Sequence, residues 1–333
     1  MASQYGPFSM NKTALGRETT YGTGVAATTI WRAPFSMVED ASQSVTVDEN
    51  IGLLVQAERS YDTQHQGRLV MPSTELTYEQ VCHLLEAGVK TATPTGTGTY
   101  TRIYAYPTDN SVPTPKSYTI ETYNALATPD AQEMNGCLVE EFTLEGNARE
   151  AWKMSATWFG KRPVTTTPTA LSTLVSVETA MIPMTLLYID ATGGTIGTTQ
   201  KTGVLMGAQI RVKTGLVPVP VGDGSLSHST YKWTKPEITY SLTLELEKDG
   251  SASAVATERT ARTNKTVRLI RLSNTGSGSK GFTIDFAGIH DSVGDYTNSN
   301  GNTTVQIQGH AAYSAADTLF WSMTVVNAVA ALP

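Results

Sequence analysis

Alternation of apolar and polar residues runs through much of the chain and predicts a protein built mainly of β-strands. The most regular stretch is 237–247, where Ile238, Tyr240, Leu242 and further apolar residues alternate with Thr, Ser and Glu. A period of two is typical of a half-buried strand. The same pattern predicts strands at 101–106, 117–123, 138–145, 152–158, 204–213, 266–272, 282–287, 303–309 and 320–326.

Two short helices are predicted between these strands. Four apolar residues from Val81 to Val89 fall at helical spacing after Thr77, a residue type that caps helix N-termini. The spacing predicts a helix over 78–88. A second, less apolar helix is predicted over 251–262. Each would present one apolar stripe, enough to cover an open face of a sheet.

The strand at 282–286 (Phe-Thr-Ile-Asp-Phe) has a similar counterpart at 118–122 (Tyr-Thr-Ile-Glu-Thr), close to half of the 333-residue chain earlier. Each follows a short apolar run and precedes another alternating strand and then a Trp-containing one. We therefore predict one β-rich module used twice. The first module is placed at 51–165 and the second at 166–333, with the boundary in the Pro- and Thr-rich segment 161–170.

Residues 1–50 are predicted to form an N-terminal arm. They are rich in Gly, Thr, Ser and Ala, and such a segment buries too little apolar surface to order itself alone. We expect it either to dock on a neighbouring subunit, with Trp31 and Phe35 as anchors, or to remain a flexible tail. The turn-rich stretch 217–236 predicts a projecting loop or hairpin and adds Asp223 to the candidates for contacts between subunits.

Composition narrows the classes of function. The net charge is −6 and only 16% of residues are charged, so a basic nucleic-acid-binding surface is not expected. Two cysteines do not make a disulfide framework. No run of about 18 apolar residues occurs, so no membrane span is expected. A basic cluster is predicted to be a solvated or subunit-facing surface; its members are Arg259, Arg262, Lys265, Arg268 and Arg271.

The chemistry of the chain points away from catalysis. No histidine shows metal-ligand spacing with another His, Cys or acidic residue on one element. His290, Asp291 and Ser292 are adjacent, so their side chains do not meet as a catalytic triad, and a Gly-x-Ser-x-Gly motif is lacking. In the glycine-rich run 276–281, Lys280 is not followed by the Ser or Thr of a phosphate loop. We expect no enzyme activity, no metal and no cofactor.

The stretch 15–23 (Leu-Gly-Arg-Glu-Thr-Thr-Tyr-Gly-Thr) resembles the opening of tail tube proteins, or major tail proteins, of long-tailed bacteriophages. Further likeness lies at 67–69 before the first helix, at 135–138 before a predicted hairpin, and over 204–247. The likeness runs across most of the chain, although 171–202 carries little of it. The form that the chain resembles is the two-module one of phages with non-contractile tails.

This resemblance implies a mainly β fold of two tandem, sandwich- or barrel-like tail-tube modules, each with a short helix. In that family, subunits form rings, inner sheets join between subunits into a closed β-barrel, and rings stack into the tail tube of the virion. A two-module chain implies a homotrimeric ring with pseudo-sixfold symmetry, assembled in the host cytoplasm. The implied partners are further copies of the chain, the tape measure protein and tail-tip or terminator proteins. Double-stranded DNA would pass through during genome ejection without specific binding.

A conduit for DNA should not bind the phosphate backbone, which Lys and Arg hold strongly through counterion release. Carboxylates and hydroxyls along the bore would instead repel it. The candidates for the bore lie on the polar sides of predicted strands; they are Glu121, Glu141, Glu145 and Asp285. A solvated outer face or a contact between modules is the alternative for each. Further candidates are Glu237, Glu245 and Glu247.

Two other classes of function stay open. One is a different structural β protein of a virion, such as a capsid decoration or a tail-tip or baseplate ring component, which would not polymerise indefinitely. The other is a carbohydrate-binding β-sandwich. That class requires a solvent-facing cluster of aromatic residues, whereas the five tryptophans are scattered along the chain.

Overall fold

A computed structural model describes residues 8–52, 54–55, 57–124, 129–170, 174–246, 253–299 and 301–332. The strands of the first half are β1 (Asn11–Arg17), β2 (Thr29–Ile30), β3 (Glu39–Asp40), β4 (Gln43–Glu49), β5 (Ala57–Gln64), β6 (Gly67–Glu75), β7 (Tyr100–Ala105), β8 (Tyr118–Asn124), β9 (Ala131–Asn147), β10 (Lys153–Gly160) and β11 (Val164–Thr165). Those of the second half are β12 (Thr185–Ala191), β13 (Gln200–Lys201), β14 (Leu205–Lys213), β15 (Leu216–Val219), β16 (Thr230–Trp233), β17 (Glu237–Glu245), β18 (Arg268–Thr275), β19 (Gly281–Val293), β20 (Thr297–Ser299), β21 (Asn302–Ala311) and β22 (Trp321–Asn327). The α-helices are α1 (Val81–Gly88) and α2 (Ser253–Asn264).

The mainly β fold is confirmed, and the predicted helices are both present. In β17 the side chains of Ile238, Tyr240 and Leu242 are buried, as their alternation predicts. Helix α1 begins at Val81, and in the turn before it the backbone N–H of Gln80 donates to Oγ1 of Thr77. Within the described residues, no helix combines the length and the apolar character that a membrane crossing requires.

The largest layer of the fold is an antiparallel sheet of eight strand positions, which we call the central sheet. Its order is β3–β6–β10–β9–β14–β17–β21–β19. The C-terminal parts of β9 and β19 lie in this sheet, and their N-terminal parts continue into two outer sheets. The outer sheets have the orders β2–β1–β8–β9–β11 and β13–β12–β18–β19–β22–β7.

The same chain path occurs in each half. Apart from β7 and the short β20, the order β6–α1–β8–β9–β10 in the first half matches β17–α2–β18–β19–β21 in the second, and each helix packs on the long strand, β9 or β19. Strand β7 lies between α1 and β8 and pairs with β22 of the second half. Hairpins also match, because β4–β5 joins β3 to β6 and β15–β16 joins β14 to β17. The match differs from the one expected, since 118–122 lies in β8, which corresponds to β18 and not to β19. Short Thr-rich strands resemble one another too readily to fix such an alignment.

The main apolar core lies between the central sheet and the outer sheets. In the first half Trp158 of β10 packs against Tyr118 of β8, with ring centroids 6.1 Å apart. In the second half Tyr240 of β17 packs against Phe286 of β19 at 5.0 Å. Buried residues of both halves belong to one contiguous cluster, so the halves share their core.

Residues 11–40 belong to this body and do not form an arm. Strand β1 pairs with β8 along its whole length, and Leu15 and Trp31 are buried. The buried carboxylate of Glu18 accepts hydrogen bonds from the backbone N–H groups of Gly22 and Gly136 and from the hydroxyls of Ser117 and Thr119. The expectation that this segment orders only on a neighbour is therefore wrong for residues 11–40, because these contacts fix it to its own chain.

A buried charged cluster holds α2 against the second half. Glu258 accepts two hydrogen bonds from the guanidinium of Arg268, at 3.0 and 2.9 Å, and lies 2.8 Å from Nε2 of His290. Nδ1 of His290 in turn lies 2.7 Å from the hydroxyl of Tyr240. Arg268 is thus a buried ion-pair partner, whereas the sequence had suggested that it belongs to a solvated basic surface.

This cluster predicts a loss of stability in acid. Burial acts to raise the pKa of Glu258, but the hydrogen bond with His290 and the charge and hydrogen bonds of Arg268 outweigh it and hold that pKa below 4.5. The ionised carboxylate therefore stabilises the fold above about pH 4.5, and this stabilisation is lost as the pH falls through the lower folded-state pKa. Urea unfolding between pH 6 and pH 3 should show a shallower pH dependence in Glu258→Gln than in the natural chain. Equal slopes would contradict this role.

Candidate functional site

One face of the central sheet is polar across five adjacent strands. Residues paired in register share a face of a sheet. One such row across β9, β14, β17 and β21 contains Glu145, Gln209, Ser241 and Gln308. The next row on this face contains Thr143, Arg211, Thr239 and His310, and β10 contributes Lys153, Ser155 and Thr157. The intervening residues point into the core, so this face is the one available to solvent or a ligand.

Basic side chains on the polar face are paired with carboxylates. Arg211 donates to both carboxylate oxygens of Glu141, at 2.7 and 2.8 Å. The amide of Gln209 donates to Glu145 at 2.7 Å, and Lys213 donates to Glu237 at 3.1 Å. The sequence had suggested carboxylates and hydroxyls alone on such a face. In the structure it carries cations as well, but these are largely neutralised by neighbours on adjacent strands.

A shallow polar depression of about 300 Å³ lies on this face where β9 meets β14. Gly207 leaves room at its floor, because a side chain there would meet Asn147 and Thr243, and Glu145, Gln209 and Thr243 contribute polar groups to its sides. Across the described ranges, no group of three or more His, Cys, Asp or Glu side chains is placed to hold a metal ion. The depression offers hydrogen-bonding groups spread along a surface and no convergent set of reactive ones.

Two of the predicted bore candidates lie on the polar face and two do not. Glu141 and Glu145 lie there, as do Glu237 and Glu245 of β17, which are on the same side as their register partners Lys213 and Thr304. Glu247 lies outside the described residues. For β9 and β17, which belong to the central sheet, the alternation of the sequence therefore predicted which acidic residues share the polar side of the strand.

Glu121 and Asp285 lie in the outer sheets. Glu121 is buried, and it accepts hydrogen bonds from the backbone N–H of Thr169 at 2.8 Å and from its hydroxyl at 2.5 Å. Asp285 accepts two hydrogen bonds from Arg271, at 2.7 and 2.8 Å. Both carboxylates are bound by other residues of the same chain, away from the polar face, so neither Glu121 nor Asp285 lies on that face.

The predicted anchors for contacts between subunits have different surroundings. Trp31 is buried against His83 of the same chain, with ring centroids 6.4 Å apart, so it is not available to a neighbour. Phe35 is half-buried beside Phe8. Asp223 lies in an exposed turn, where a side-chain hydrogen bond from Ser229 lowers its pKa. Of the three, Phe35 and Asp223 keep accessible surface.

The ends of the central sheet are a feature that the sequence did not reveal. Within the described residues, the C-terminal part of β19 pairs only with β21, and β6 beyond Arg68 pairs only with β10. The backbone N–H of Gly294 donates to the carbonyl of Gln306 at 2.8 Å. Successive residues of a strand direct their backbone groups to opposite sides, so the N–H of Val293 points to the open side.

Two basic residues of α2 partly cover this open edge. Arg262 donates to the backbone carbonyl of Asp291 at 3.2 Å, and Arg259 donates to that of Gly294 at 3.3 Å. Charged side chains at an edge strand oppose indiscriminate strand pairing. This arrangement accounts for part of the basic cluster seen in the sequence.

No protein-family model matches the chain, and no curated protein is similar enough in sequence to count as a relative. The polar face and the open ends of the central sheet are therefore the features from which a function is inferred.

Proposed function

We propose that the chain is a structural subunit of a phage tail tube, of the two-module kind found in long, non-contractile tails. Three copies would close a ring through their central sheets, and rings would stack into a hollow conduit in the virion. The observation that carries this proposal is an antiparallel sheet of eight strand positions with one polar face and two open ends. Open edges invite pairing with another chain, and a head-to-tail contact that closes on itself makes a ring.

The repeated chain path supports a tandem arrangement of modules. In this proposal the first module also includes β1 to β3. Strand β1 pairs with β8 as β12 pairs with β18, and β3 pairs with β6 as β14 pairs with β17. Within the chain, β9 of the first half pairs with β14 of the second, from Glu141 opposite Lys213 to Asn147 opposite Gly207. We expect the contact between copies to resemble that junction. The edge strand β19 of one copy would pair with the edge formed by β3 and β6 of the next copy.

The number of strands fits a wide channel. Eight strands closed on themselves would leave an interior filled by side chains, so one chain cannot enclose a duplex. Three copies would contribute about 24 strands, which at about 4.8 Å between strands and a tilt of about 40° give a backbone radius of about 24 Å. Such a bore would admit double-stranded DNA.

The polar face of the central sheet would line this bore. Its hydroxyls, amides and paired charges offer few free cations, and free Lys and Arg are what bind DNA phosphates through counterion release. DNA would therefore slide past without specific binding. The tape measure protein and the tail-tip and terminator proteins are the further partners that this function implies.

Removing the carboxylate partner of Arg211 should make the assembled protein bind DNA. In Glu141→Gln the guanidinium of Arg211 loses its carboxylate partner. We expect the slope of log Kobs against log salt for DNA binding to steepen by about 0.9 for each phosphate that a freed guanidinium neutralises. The matched control is Glu245→Gln, which removes a carboxylate of the same face that forms no ion pair within the described ranges. Equal behaviour of the two variants would contradict the proposal that the pair masks Arg211.

Negative-stain electron microscopy of the concentrated protein tests the proposed assembly. Hollow tubes with a regular axial repeat and six similar lobes in end-on views are expected. Closed rings that never stack would favour the tail-tip or baseplate component that the sequence left open. A chain that remains monomeric by sedimentation velocity at every concentration, and in mixtures with preformed tail tips, would contradict ring closure.

A further inference from the structure

The hairpin β4–β5 stands away from the body of its own chain. The residues of β4 are exposed apart from Val47, and the loop between the strands carries apolar side chains at its tip. Ile51 is 54% exposed, Val55 is 66% exposed and Leu54 is fully exposed. An isolated two-stranded hairpin is at best marginally stable in water, and exposed apolar clusters mark contact surfaces. This hairpin therefore needs a partner surface.

The corresponding hairpin of the second half shows where such a hairpin packs. From its base between β14 and β17, β15–β16 lies against the middle of β9 and the end of β10, where Leu216 packs with Leu138 and Phe159. Its tip reaches the connection between β5 and β6, where the backbone N–H of His65 donates to the carbonyl of Leu226 at 2.9 Å. The ring of His228 lies 6.0 Å from that of Phe159. The hairpin thus crosses sideways onto the neighbouring half.

The second half offers a groove at the matching place. Aligning the buried positions of β6 and β10 with those of β17 and β21 sets the pair Leu69–Trp158 of the first half against Tyr240–Gly309 of the second. Counting from these pairs, Pro236 of the second half takes the position that His65 has in the first half. His310 likewise takes the position of Phe159. Both second-half residues line a groove of about 490 Å³, whose apolar walls are Tyr106, Ala311, Tyr313 and Phe320. Tyr313 is half exposed there.

We propose that the tip of β4–β5 of one copy seats in this groove of the adjacent copy in the same ring. This inference rests on the proposed ring. The order of the central sheet would bring β21 and β19 of one copy beside β3 and β6 of the next, so the hairpin begins next to the groove. Its apolar tip then meets apolar walls, as β15–β16 does within the chain. The hairpin is a lateral clasp between neighbours and not a contact between stacked rings.

Photo-crosslinking from the tip tests this placement. Leu54 is replaced with p-benzoylphenylalanine, which a fully exposed position accepts without disturbing the fold. An equal mixture of ¹⁴N- and ¹⁵N-labelled chains is assembled, imaged and irradiated, and crosslinked peptides are mapped by mass spectrometry. We expect mixed-isotope crosslinks to 106–109, 310–313 or Phe320, and covalent species no larger than a trimer. The control carries the same group at Leu186, an exposed residue of β12.

The outcomes separate this inference from the function on which it rests. Rings or tubes whose crosslinks from position 54 fall on other peptides, or extend beyond trimers into ladders, overturn the lateral clasp and leave the tube intact. Assembled rings that give no crosslink at position 54 overturn it as well. A chain that forms no rings removes the clasp together with the proposed function.

Discussion

Replacing Arg268 with Met is expected to lower the free energy of unfolding by about 3–5 kcal/mol. The guanidinium makes two hydrogen bonds to Glu258, whose side chain is buried together with His290. Removing one partner of a buried ion pair leaves the other charge desolvated and uncompensated, which is far more costly than the net contribution of the pair. Urea denaturation followed by circular dichroism measures the loss.

The same strand offers a matched comparison for this substitution. Arg271 also makes two hydrogen bonds to a carboxylate, that of Asp285, but the side chains of this pair keep 30% and 18% of their exposure. Arg271→Met is expected to cost about 1 kcal/mol or less, because water compensates a partly exposed charge. Arg268→Lys should fall between, since it keeps the charge but not the paired geometry. Equal losses in Arg268→Met and Arg271→Met would contradict the role given to burial.

Replacing Val293 with Pro is expected to prevent ring closure while leaving the subunit folded. The N–H of Val293 points to the open side of β19, so the hydrogen bonds to β21 do not need it. Pro is tolerated at such edge positions but cannot donate to an added strand. A loss of about 1.5 kcal/mol at each interface between copies weakens that interface about tenfold. With three such interfaces, the equilibrium constant of a ring would fall about a thousandfold.

Sedimentation velocity and electron microscopy would follow the assembly of this variant. Val293→Thr is the control, because it keeps both the backbone donor and the β-branched shape. The thermal midpoint of Val293→Pro should stay within a few degrees of that of the control. Rings that form at the natural concentration in Val293→Pro would show that this edge takes no part in closure.

The regular strands and α1 could be predicted because their own residues carry the pattern. Ile238, Tyr240 and Leu242 alternate with polar residues and are buried, and the apolar spacing from Val81 onward marks the helix. The alternation in β9 predicted that Glu141 and Glu145 share one face of a sheet, and in the structure both lie on the polar face. Their place in a bore stays a prediction. Each of these elements buries one side, so the apolar residues in its own sequence are enough to predict it.

The remaining features depend on partners far away in the sequence. Strand β1 has few apolar residues and forms because its backbone pairs with β8 and because Glu18 gathers donors about 100 positions distant. Glu121 alternates as a polar residue should, but Thr169 from another segment covers it. The open edges depend on which strands are neighbours. The alternation of apolar and polar residues within a strand does not show which distant segments contact it.

The junction of β9 with β14 has a mechanical consequence for the proposed tube. In that tube, three of the six seams around each ring would join strands of one covalent chain, and the other three would form between separate copies. Because those three seams would lack a peptide linkage, they would set the concentration at which a ring forms and the places where a strained ring separates first. Under radial load the wall would split into three pieces rather than six, each carrying an intact pair of modules.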